Sequence, residues 1–426
     1  MQGIQKRVER KAYRHIVLPL FIASILAFLD RVNVSYAALT MNQDLGFTAE
    51  VYGIGAGIFF AGYVIFEIPG ALWAEKWSPS KWIARIMVTW GIVCMLMAFI
   101  ENETQFFIYR FLLGACEASL YPVIYASVIP RWFLTADRPR AIALTLTSLQ
   151  ISVILGAPLA GWMVGVTLGS FAGWQSLFLL EGAITVIYGI VIFFWLKDDP
   201  EKVSWLNPEE KTFLRESLAR ETANKVSVQK YSVWQALTNP EVLKLCLIYF
   251  LWVTGFWGFG FWMPTVLKAA SGWSNVAIGW LSVIPMVISL IAMVYIGNSS
   301  ARTGEKRWHG AIPLMIGSVG MLIGAFSSNS YIAYASVILA AVGVYGPFGV
   351  WWSYPTTFLT GAAAAGAIGM INSVGNIGGF IGPYSIGYLK DLTGNFSLAY
   401  ISLSGSLMLS ALLMLTLKKK DASTGE

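Results

Sequence analysis

Four ionisable side chains stand inside two long apolar stretches of the sequence. Asp30 and Arg31 are adjacent in the first stretch, and Arg110 and Glu117 are seven residues apart in another. A charged side chain at bilayer depth costs roughly 2.5–3.5 kcal/mol on insertion scales, so such residues usually mark function. Carboxyl groups beside guanidinium groups can exchange protons or bind an anion. These four residues are therefore the first candidates for a functional site.

The spacing of the four residues suggests how they are arranged. On a helix, Arg110 and Glu117 share one face, about 10.5 Å apart along the axis, whereas adjacent residues point about 100° apart. We expect Asp30 to face the segment of Arg110 and Glu117 while Arg31 faces a central cavity. Asp30 and Glu117 would then carry coupled protons, and Arg110 would set their proton affinity. Arg31 would bind a substrate carboxylate, because its planar fork matches two oxygens.

Two structural alternatives stay open at this point. The four residues could form a permanent ion-pair network that only locks the two segments together. Arg31 could also pair with Asp30 or Glu117 instead of binding a substrate. Both alternatives follow from the same charges, since a buried guanidinium needs a carboxylate partner whether or not it binds a ligand.

The composition indicates an all-α integral membrane protein. Of the 426 residues, 56% are hydrophobic and 12% are charged, with a mean hydropathy of +0.63. A soluble domain is nearer one quarter charged. A helix needs about 20 apolar residues to cross the hydrocarbon, and lipid cannot satisfy free backbone groups. Twelve transmembrane helices in two six-helix bundles are predicted, near residues 15–39, 51–73, 82–100, 105–129, 139–166, 174–196, 241–265, 276–298, 309–327, 331–353, 362–388 and 397–417.

The basic residues predict the orientation of the chain. An even number of spans places both termini on one side, and that side collects 25 of the 29 lysines and arginines. Only Lys268 and Lys390 fall on the other side. Cytoplasmic loops carry the excess of Lys and Arg, so we expect both termini in the cytoplasm. The net charge of +6 is thereby explained by topology and lipid headgroups, and we expect no nucleic-acid partner.

The longest polar stretch divides the spans six and six. The predicted organisation is an N-terminal bundle over 1–196, a cytoplasmic linker over 197–240 and a C-terminal bundle over 241–426. Within the linker, Pro208 followed by two glutamates is typical of a helix start. We therefore predict a surface helix from Pro208 to Thr222 with its charges on a solvated face, and linker around it.

The two halves echo each other. Gly70 and Gly297 each read as a glycine at a helix end followed by a short loop of acidic and basic residues. Gly156–Gly161 in the fifth span and Gly375–Pro383 in the eleventh are rich in Gly and Pro, which let helices approach closely and bend. Six plus six spans with corresponding broken helices is typical of a repeat-built transporter with its site near the midplane.

Five motifs of the sequence share a pattern with a known family. They are Phe28-Leu-Asp30-Arg31-Val-Asn33, Arg110-Phe-Leu-Leu-Gly114-Ala-Cys-Glu117-Ala118, Phe66-Glu67-Ile68-Pro69-Gly70, Trp132-Phe133 with Arg138, and Gly375–Gly379. They resemble the anion:cation symporter family of the major facilitator superfamily, including its bacterial sugar-acid, tartrate and 4-hydroxyphenylacetate permeases, and the resemblance covers nearly the whole chain. It implies proton-coupled import of an organic carboxylate, such as a sugar acid, by alternating access across the bacterial inner membrane. On family grounds the protein is expected to be a monomer.

The sequence departs from the family pattern in two places. The loop after the second span reads Ser78-Pro79-Ser80-Lys81, without the superfamily's usual Gly-Arg-Arg/Lys ending. The seventh span contains no arginine, so it lacks the second carboxylate-binding cation of some relatives. A single evident cationic ligand favours a monocarboxylate sugar acid, while an aromatic acid, a tartrate-like dicarboxylate, and an exchanger or exporter remain alternatives.

Further polar and aromatic residues are candidate substrate ligands. The resemblance implies that Tyr63, Gln150 and Asn372 line the site, and Asn376 could also bond hydroxyl groups or a second carboxylate. Trp352 in the tenth span is the aromatic candidate, although aromatic residues here could instead serve in packing or in the interface belt. Each amide or hydroxyl group could instead join helices by hydrogen bonds. The sequence has no Walker loop and no HExxH, GxSxG or paired Cys/His pattern. We therefore expect no enzyme activity, no metal and no cofactor, with protons, lipid and a small organic acid as partners.

Overall fold

The computed structural model describes residues 2–167, 169–224, 238–354 and 361–417, and within these ranges its regular elements are helices. Six long helices come first along the chain, then one shorter helix, and then six more long helices. They are α1 Gly3–Leu45, α2 Ala49–Trp77, α3 Pro79–Phe99, α4 Glu103–Trp132, α5 Arg138–Met163, α6 Gly173–Trp195, α7 Pro208–Asn224, α8 Pro240–Ser271, α9 Asn275–Thr303, α10 Arg307–Phe326, α11 Ser330–Trp351, α12 Gly361–Thr393 and α13 Ser397–Leu415.

The predicted membrane architecture is confirmed. In the described part of the chain, eleven helices are long and apolar enough to cross a membrane. The twelfth span corresponds to α12, which is 33 residues long. Several helices extend beyond their predicted ends, because a helix that leaves the apolar layer can continue as long as its polar residues favour it. α1 is the clearest example, since it begins about a dozen residues before the predicted span and contains a π-helical turn at Tyr13–Val17.

The prediction that Gly70 and Gly297 end helices is wrong. α2 continues to Trp77, and α9 continues to Thr303, so both glycines are interior to helices. α9 instead ends before Gly304, whose backbone φ of +69° is left-handed and whose N–H donates to the Ser300 carbonyl at 2.9 Å. A left-handed residue after a helix favours glycine, which has no Cβ to clash. The helix therefore ends at Gly304 and not at Gly297.

The described residues form two compact units, each of which combines separate stretches of the chain. The first contains the described residues of Met1–Asn33, Ala61–Gly156 and Val166–Val228. The second contains those of Val34–Phe60, Ala157–Gly165 and Gln229–Glu426. α1, α2 and α5 each contribute to both units. The sequence-order division at a 197–240 linker remains a prediction, and residues 225–237 of that linker lie outside the described residues.

In the first unit, α3 and α6 approach each other closely at glycines. A Cβ atom added to Gly91 would meet the Gly182 carbonyl oxygen at 2.8 Å, and one added to Gly189 would meet the Met87 Cβ at 2.9 Å. Small residues at a helix contact let the two backbones come together where a side chain would hold them apart. This contact determines the distance between the polar side chains that α3 and α6 carry next to these glycines.

In the second unit, α8 packs on α12 by the same means. A Cβ atom at Gly378 would meet the Phe250 carbonyl oxygen at 2.5 Å, and Gly375 lies directly against the Tyr249 ring. Trp252 of α8 is fully buried and donates its Nε1–H to the Val344 carbonyl at 2.8 Å. The aromatic residues of α8 are largely buried and therefore serve mainly as packing.

The predicted surface helix forms, and its charges are mostly exposed as expected, with Glu210 as the buried exception. In α7, the Glu210 side chain is only 1% exposed and accepts a hydrogen bond from Lys11 Nζ at 2.7 Å. Farther along α7, Glu221 accepts hydrogen bonds from the Thr135 backbone N–H at 2.9 and 3.1 Å. The segment before α7 is docked too, since the Trp205 ring stacks on His15 with centroids 4.7 Å apart. Neutralisation by groups on other helices is what makes these charges compatible with burial.

The environment of Glu210 also determines how it responds to acid. Burial acts to raise the pKa of Glu210, but hydrogen bonds from Lys11 and Asn207 and the charges of Lys11 and Arg7 outweigh it. The pKa therefore lies below the ordinary value of 4.5. A depressed carboxyl pKa gives stability that is present above the ordinary pKa and is lost as the pH falls through the depressed one.

We expect Glu210→Gln to loosen α7 from the first unit, because it removes the charge-assisted bond to Lys11. The loss is about 1–2 kcal/mol, as for other hydrogen bonds to charged groups. Limited proteolysis of the detergent-solubilised protein at pH 7 measures it as faster cleavage between residues 197 and 224. Glu209→Gln is the matched control, since the neighbouring side chain is 64% exposed. Equal cleavage rates in the two variants would contradict the docking described here.

Candidate functional site

Asp30 lies at the centre of a polar cluster in the first unit. It is 1% exposed, and its Oδ2 accepts hydrogen bonds from Trp90 Nε1 of α3 and from Thr185 Oγ1 of α6, the latter at 2.9 Å. Cys94 of α3 directs its Sγ toward Oδ1 at 3.7 Å. A buried carboxyl group is tolerated when such donors replace water. Three helices thus meet around this carboxyl group.

The helix contact described above explains why these donors can reach Asp30. Gly91 lies between Trp90 and Cys94 along α3, and it packs on Gly182 of α6. Hydrogen bonds require heavy atoms within about 3 Å, so the two helices must stay close to hold donors on both sides of one carboxyl group. The glycines supply that closeness.

Glu181 is a second acid in this cluster. Its Oε2 accepts a hydrogen bond from Asn33 Nδ2 at 2.8 Å, and the same amide nitrogen is 3.6 Å from Cys94 Sγ. Glu181 is 5% exposed, and Asn33 is 2% exposed. Glu181 is not among the predicted site residues. Its position as an ionisable side chain inside the apolar sixth span was the signal that could have identified it.

Arg31 forms a buried ion pair with Glu117 of α4. The Arg31 Nη2 contacts Glu117 Oε1, and the guanidinium carbon is 5.3 Å from the Phe28 ring centroid and 5.2 Å from that of Tyr63. Aromatic faces stabilise a guanidinium where water is excluded. Glu117 is fully buried, and its Oε2 accepts no hydrogen bond from the described residues. One carboxylate oxygen is thus paired, while the other has no donor in this part of the chain.

The expected orientation of Asp30 toward α4 is therefore wrong, and Arg31 adopts the alternative pairing with Glu117 that the charges allowed. Asp30 was expected to face α4 and Arg31 a central cavity, but Asp30 faces α3 and α6 while Arg31 pairs with α4. As the 100° rotation between adjacent helix residues predicts, the Asp30 and Arg31 side chains point toward different helices. The rotation of α1 about its own axis depends on packing against its neighbours, which the spacing of charges does not specify.

Arg110 lies on α4 and is also fully buried. Its positive charge acts on Glu117, seven residues further along the same helix, and the negative charge of Glu117 acts on Asp30. The four predicted residues are therefore brought into one electrostatic environment within the first unit. Their individual roles remain predictions.

The predicted substrate ligands are divided between the two units. In the first unit, Tyr63 lies against Arg31, and Gln150 of α5 is 1% exposed. In the second unit, Trp352 follows α11 and packs edge-on against Tyr249 with ring centroids 5.3 Å apart. Asn372 and Asn376 are half-buried and one turn apart on α12. Their roles as substrate ligands remain predictions.

α4 is interrupted directly after Glu117. The α-helical part ends at Glu117, and Ser119 has a left-handed backbone φ of +73°. The Ser119 Oγ accepts a hydrogen bond from Trp82 Nε1 of α3 at 3.0 Å, and a π-helical segment follows at Val123–Val128. Backbone strain of this kind concentrates at functional sites, where the surrounding structure maintains it. The interruption frees the backbone after Glu117 from the regular helix.

Among the residues that the structure describes, no group of three or more His, Cys, Asp and Glu side chains could hold a metal ion. The three cysteines are free thiols. The cluster around Asp30 can hold protons, and the Arg31 guanidinium can exchange one carboxylate for another. Proton binding and anion binding are the two kinds of chemistry that this arrangement offers.

Comparisons with known proteins agree with the fold. A model of the Major Facilitator Superfamily matches residues 20–383. A putative tartrate transporter from Agrobacterium vitis is 40% identical over 426 residues, covering 99% of this chain and 94% of that protein. A quinolone resistance transporter from Acinetobacter baumannii is 35% identical over 402 residues, covering 94% and 92%. The inward-open structure of the xylose transporter XylE from E. coli has a TM-score of 0.74 at 13% identity, covering 96% and 97%, and supports the fold alone.

The interruption at Ser119 leads to a stability prediction. We expect Ser119→Val to destabilise the protein by roughly 1–2 kcal/mol more than Ser119→Gly, because a side chain branched at Cβ is strained at positive φ whereas glycine is not. Both variants lose the acceptor for Trp82, so that loss cancels in their difference. Thermal unfolding in detergent measures it, and coincident melting curves for the two variants would show that Ser119 is unstrained.

Proposed function

Because the chain belongs to the major facilitator superfamily, we propose that it is a proton-coupled secondary transporter that imports an organic carboxylate anion by alternating access. It is a multi-pass membrane transporter and not an enzyme. The partners in this proposal are protons, a small organic acid and membrane lipid, and the protein works as a monomer. Its place is the bacterial inner membrane, with both termini in the cytoplasm because the basic residues concentrate on that side.

The observation that carries the proposal is the buried pair of Arg31 and Glu117. The Arg31 guanidinium is charged at any physiological pH and lies in an aromatic setting with Glu117 as its ion-pair partner. A substrate carboxylate that binds Arg31 competes with Glu117 for the same donors. The carboxylate that loses this competition keeps its negative charge without the Arg31 contact, in a place where charge is costly.

Competition of this kind couples substrate to protons. Glu117 is fully buried, and its second oxygen has no donor among the described residues. Once displaced from Arg31, Glu117 is least costly in its protonated form, because an unpaired buried charge costs several kcal/mol. Binding of the anion therefore favours uptake of a proton at Glu117, and loss of that proton restores the ion pair and expels the anion. Arg110 adjusts the balance through its charge on Glu117.

The driving force follows from the charges moved. No nucleotide-binding motif is present in the sequence, so the energy comes from ion gradients. An inside-negative membrane potential favours positive charge entry by about 2.3 kcal/mol per charge per 100 mV. Import of one anion with more than one proton uses both the potential and the pH gradient. Asp30 is the second proton-binding group in this proposal.

The substrate class follows from the number of cationic ligands. Arg31 offers one bidentate site, which suits a monocarboxylate, and Tyr63, Gln150, Asn372 and Asn376 offer partners for hydroxyl groups. A sugar acid has this combination. The name of the Agrobacterium relative favours a tartrate-like dicarboxylate, and the aromatic pair of Trp352 and Tyr249 favours an aromatic acid, so both are alternatives. The name of the Acinetobacter relative supports a second candidate function, export of an amphipathic drug.

Removal of either carboxyl charge should separate exchange from accumulation. In proteoliposomes, we expect Asp30→Asn and Glu117→Gln to abolish substrate accumulation driven by a pH gradient, because the neutral side chain cannot take up and release a proton. Substrate counterflow without a gradient should persist at no less than about a tenth of the wild-type rate, since binding and alternation need no net proton transfer.

Glu103→Gln provides the control for these variants. Glu103 starts the same helix as Glu117 and is exposed, so its substitution should leave both activities unchanged. Accumulation by both carboxyl variants in response to a proton gradient would exclude the proposed coupling. Wild-type substrate efflux driven by an inward proton gradient would instead support the exporter.

Arg31→Lys tests the substrate ligand. A lysine keeps the charge but loses the planar fork, so we expect the affinity for the transported acid to fall at least about tenfold, or 1.4 kcal/mol. A thermal-shift screen of sugar acids, hydroxy-diacids and phenylacetates identifies the acid, and titration of both proteins with it gives the affinities. Arg140→Lys is the control, because Arg140 is 81% exposed. An unchanged affinity in Arg31→Lys would remove Arg31 from the substrate site.

A further inference from the structure

A second buried acid stands beside Asp30, and the exchange between Glu117 and the substrate does not use it. Glu181 of α6 belongs to the same polar cluster as Asp30, and the two are linked through side chains of α1 and α3. Asn33 Nδ2 is 2.8 Å from Glu181 Oε2 and 3.6 Å from Cys94 Sγ, which in turn is 3.7 Å from Asp30 Oδ1. The two acids thus share one buried, continuous polar cluster.

Among the described residues, no cation forms an ion pair with either of these acids. Within the described ranges, neither Asp30 nor Glu181 takes part in an ion pair, and the nearest basic residue along α1, Arg31, pairs with Glu117 instead. The other titratable groups that face the cluster are the Cys94 thiol of α3 and Glu117 of α4, whose charge also acts on Asp30. All of them are neutral or negative. The Asp30–Glu181 cluster therefore differs in kind from the Arg31–Glu117 pair.

The lack of a cation determines how many charges the cluster can hold. Two carboxylates in one buried site repel each other and lack a counter-charge, so ionisation of the first makes ionisation of the second much less favourable. The donors present are neutral, Trp90 and Thr185 to Asp30 and Asn33 to Glu181, so they supply hydrogen bonds but no counter-charge for two carboxylates. One proton is accordingly held by the two carboxyl groups together, as in other interacting acid pairs.

We propose, on the basis of the proposed function, that Glu181 is a proton-carrying residue that shares one exchangeable proton with Asp30. The two carboxyl groups act as one acid pair bridged by Asn33 and Cys94. Protonation and deprotonation of this pair changes the charge at the contact of α1, α3 and α6, whereas the Arg31–Glu117 pair responds to the substrate. The transporter thus has two proton-binding places with different partners.

A purely structural Glu181 is the rival explanation. In that case the carboxyl group only accepts the Asn33 hydrogen bond and never releases its proton during transport. A glutamine at position 181 distinguishes the two, since its carbonyl oxygen can accept the same hydrogen bond from Asn33 while it carries no exchangeable proton. The structural role survives Glu181→Gln, and the proton-carrying role does not.

The first measurement is the pH profile of gradient-driven uptake in proteoliposomes. Without the like charge of Glu181, Asp30 holds its proton less tightly, so the midpoint of the profile in Glu181→Gln should move to lower pH by about one unit. Counterflow should be retained, which shows that the variant is folded. Ser176→Ala is the control, because Ser176 lies on the same helix, is buried and bonds only to the Ala172 carbonyl. Its profile should match the wild type.

The second measurement reads the protons directly and needs no transport. Infrared spectra of the purified protein between pH 5 and pH 9 report the C=O stretch of protonated buried carboxyl groups, which shifts in heavy water. We expect a titrating band in Asp30→Asn, where Glu181 remains, and loss of that band in the Asp30→Asn, Glu181→Gln double variant. Adding Glu117→Gln to both of these variants removes any contribution of Glu117 to the titrating band.

The two measurements separate this proposal from the proposed function. If Glu181→Gln has the wild-type pH midpoint, or if no band in Asp30→Asn depends on Glu181, then Glu181 carries no exchangeable proton and the proposal is overturned. If wild-type uptake ignores the pH gradient, the proposed function fails, and the infrared titration still decides whether Glu181 exchanges a proton. A shifted midpoint together with the Glu181-dependent band supports the proposal.

Discussion

The rest of the first unit depends on the need of buried charges for partners. Arg31 lies in an apolar helix and forms an ion pair with Glu117 on another helix, so α1 and α4 must meet with this register. Asp30, on the adjacent face of α1, needs donors from α3 and α6 for the same reason. One dipeptide in α1 thereby ties together four helices. An ion pair of this kind is costly to break on one side only, which is what makes it sensitive to a competing carboxylate.

Close helix packing is what allows these partners to meet. Gly91 and Gly182 bring α3 and α6 together next to Trp90, Cys94 and Glu181. In membranes, the gain from helix association comes from packing and hydrogen bonds, because lipid tails are as apolar as leucine. The second unit uses the same means at Gly375 and Gly378, but there the groups brought together are aromatic. Small residues therefore serve a polar cluster in one unit and an aromatic cluster in the other.

The fourth helix combines a charge with an irregular backbone. Its α-helical part ends at Glu117, the residue that pairs with Arg31, and the left-handed Ser119 follows two positions later. The Glu117 carboxyl group thus lies where the regular α-helix ends and the strained backbone at Ser119 begins. The segment that precedes α7 and α7 itself pack against the first unit through Trp205 and Glu210. Irregular backbone, buried charge and docked surface helix thus occur together in the same unit.

The sequence alone determined the twelve spans and the candidate charges, because apolar length and an ionisable residue inside an apolar run are local properties. It could not determine which way Asp30 and Arg31 point, since the rotation of a helix is decided by the surfaces packed around it. The role of Glu181 was not evident from the sequence, because it depends on the Asn33 side chain that α1 brings to it. Gly70 was taken as a helix end, although α2 continues past it to Trp77. Only the tertiary structure decides which buried charges neutralise one another, because that depends on distances of a few ångströms between residues far apart in the chain.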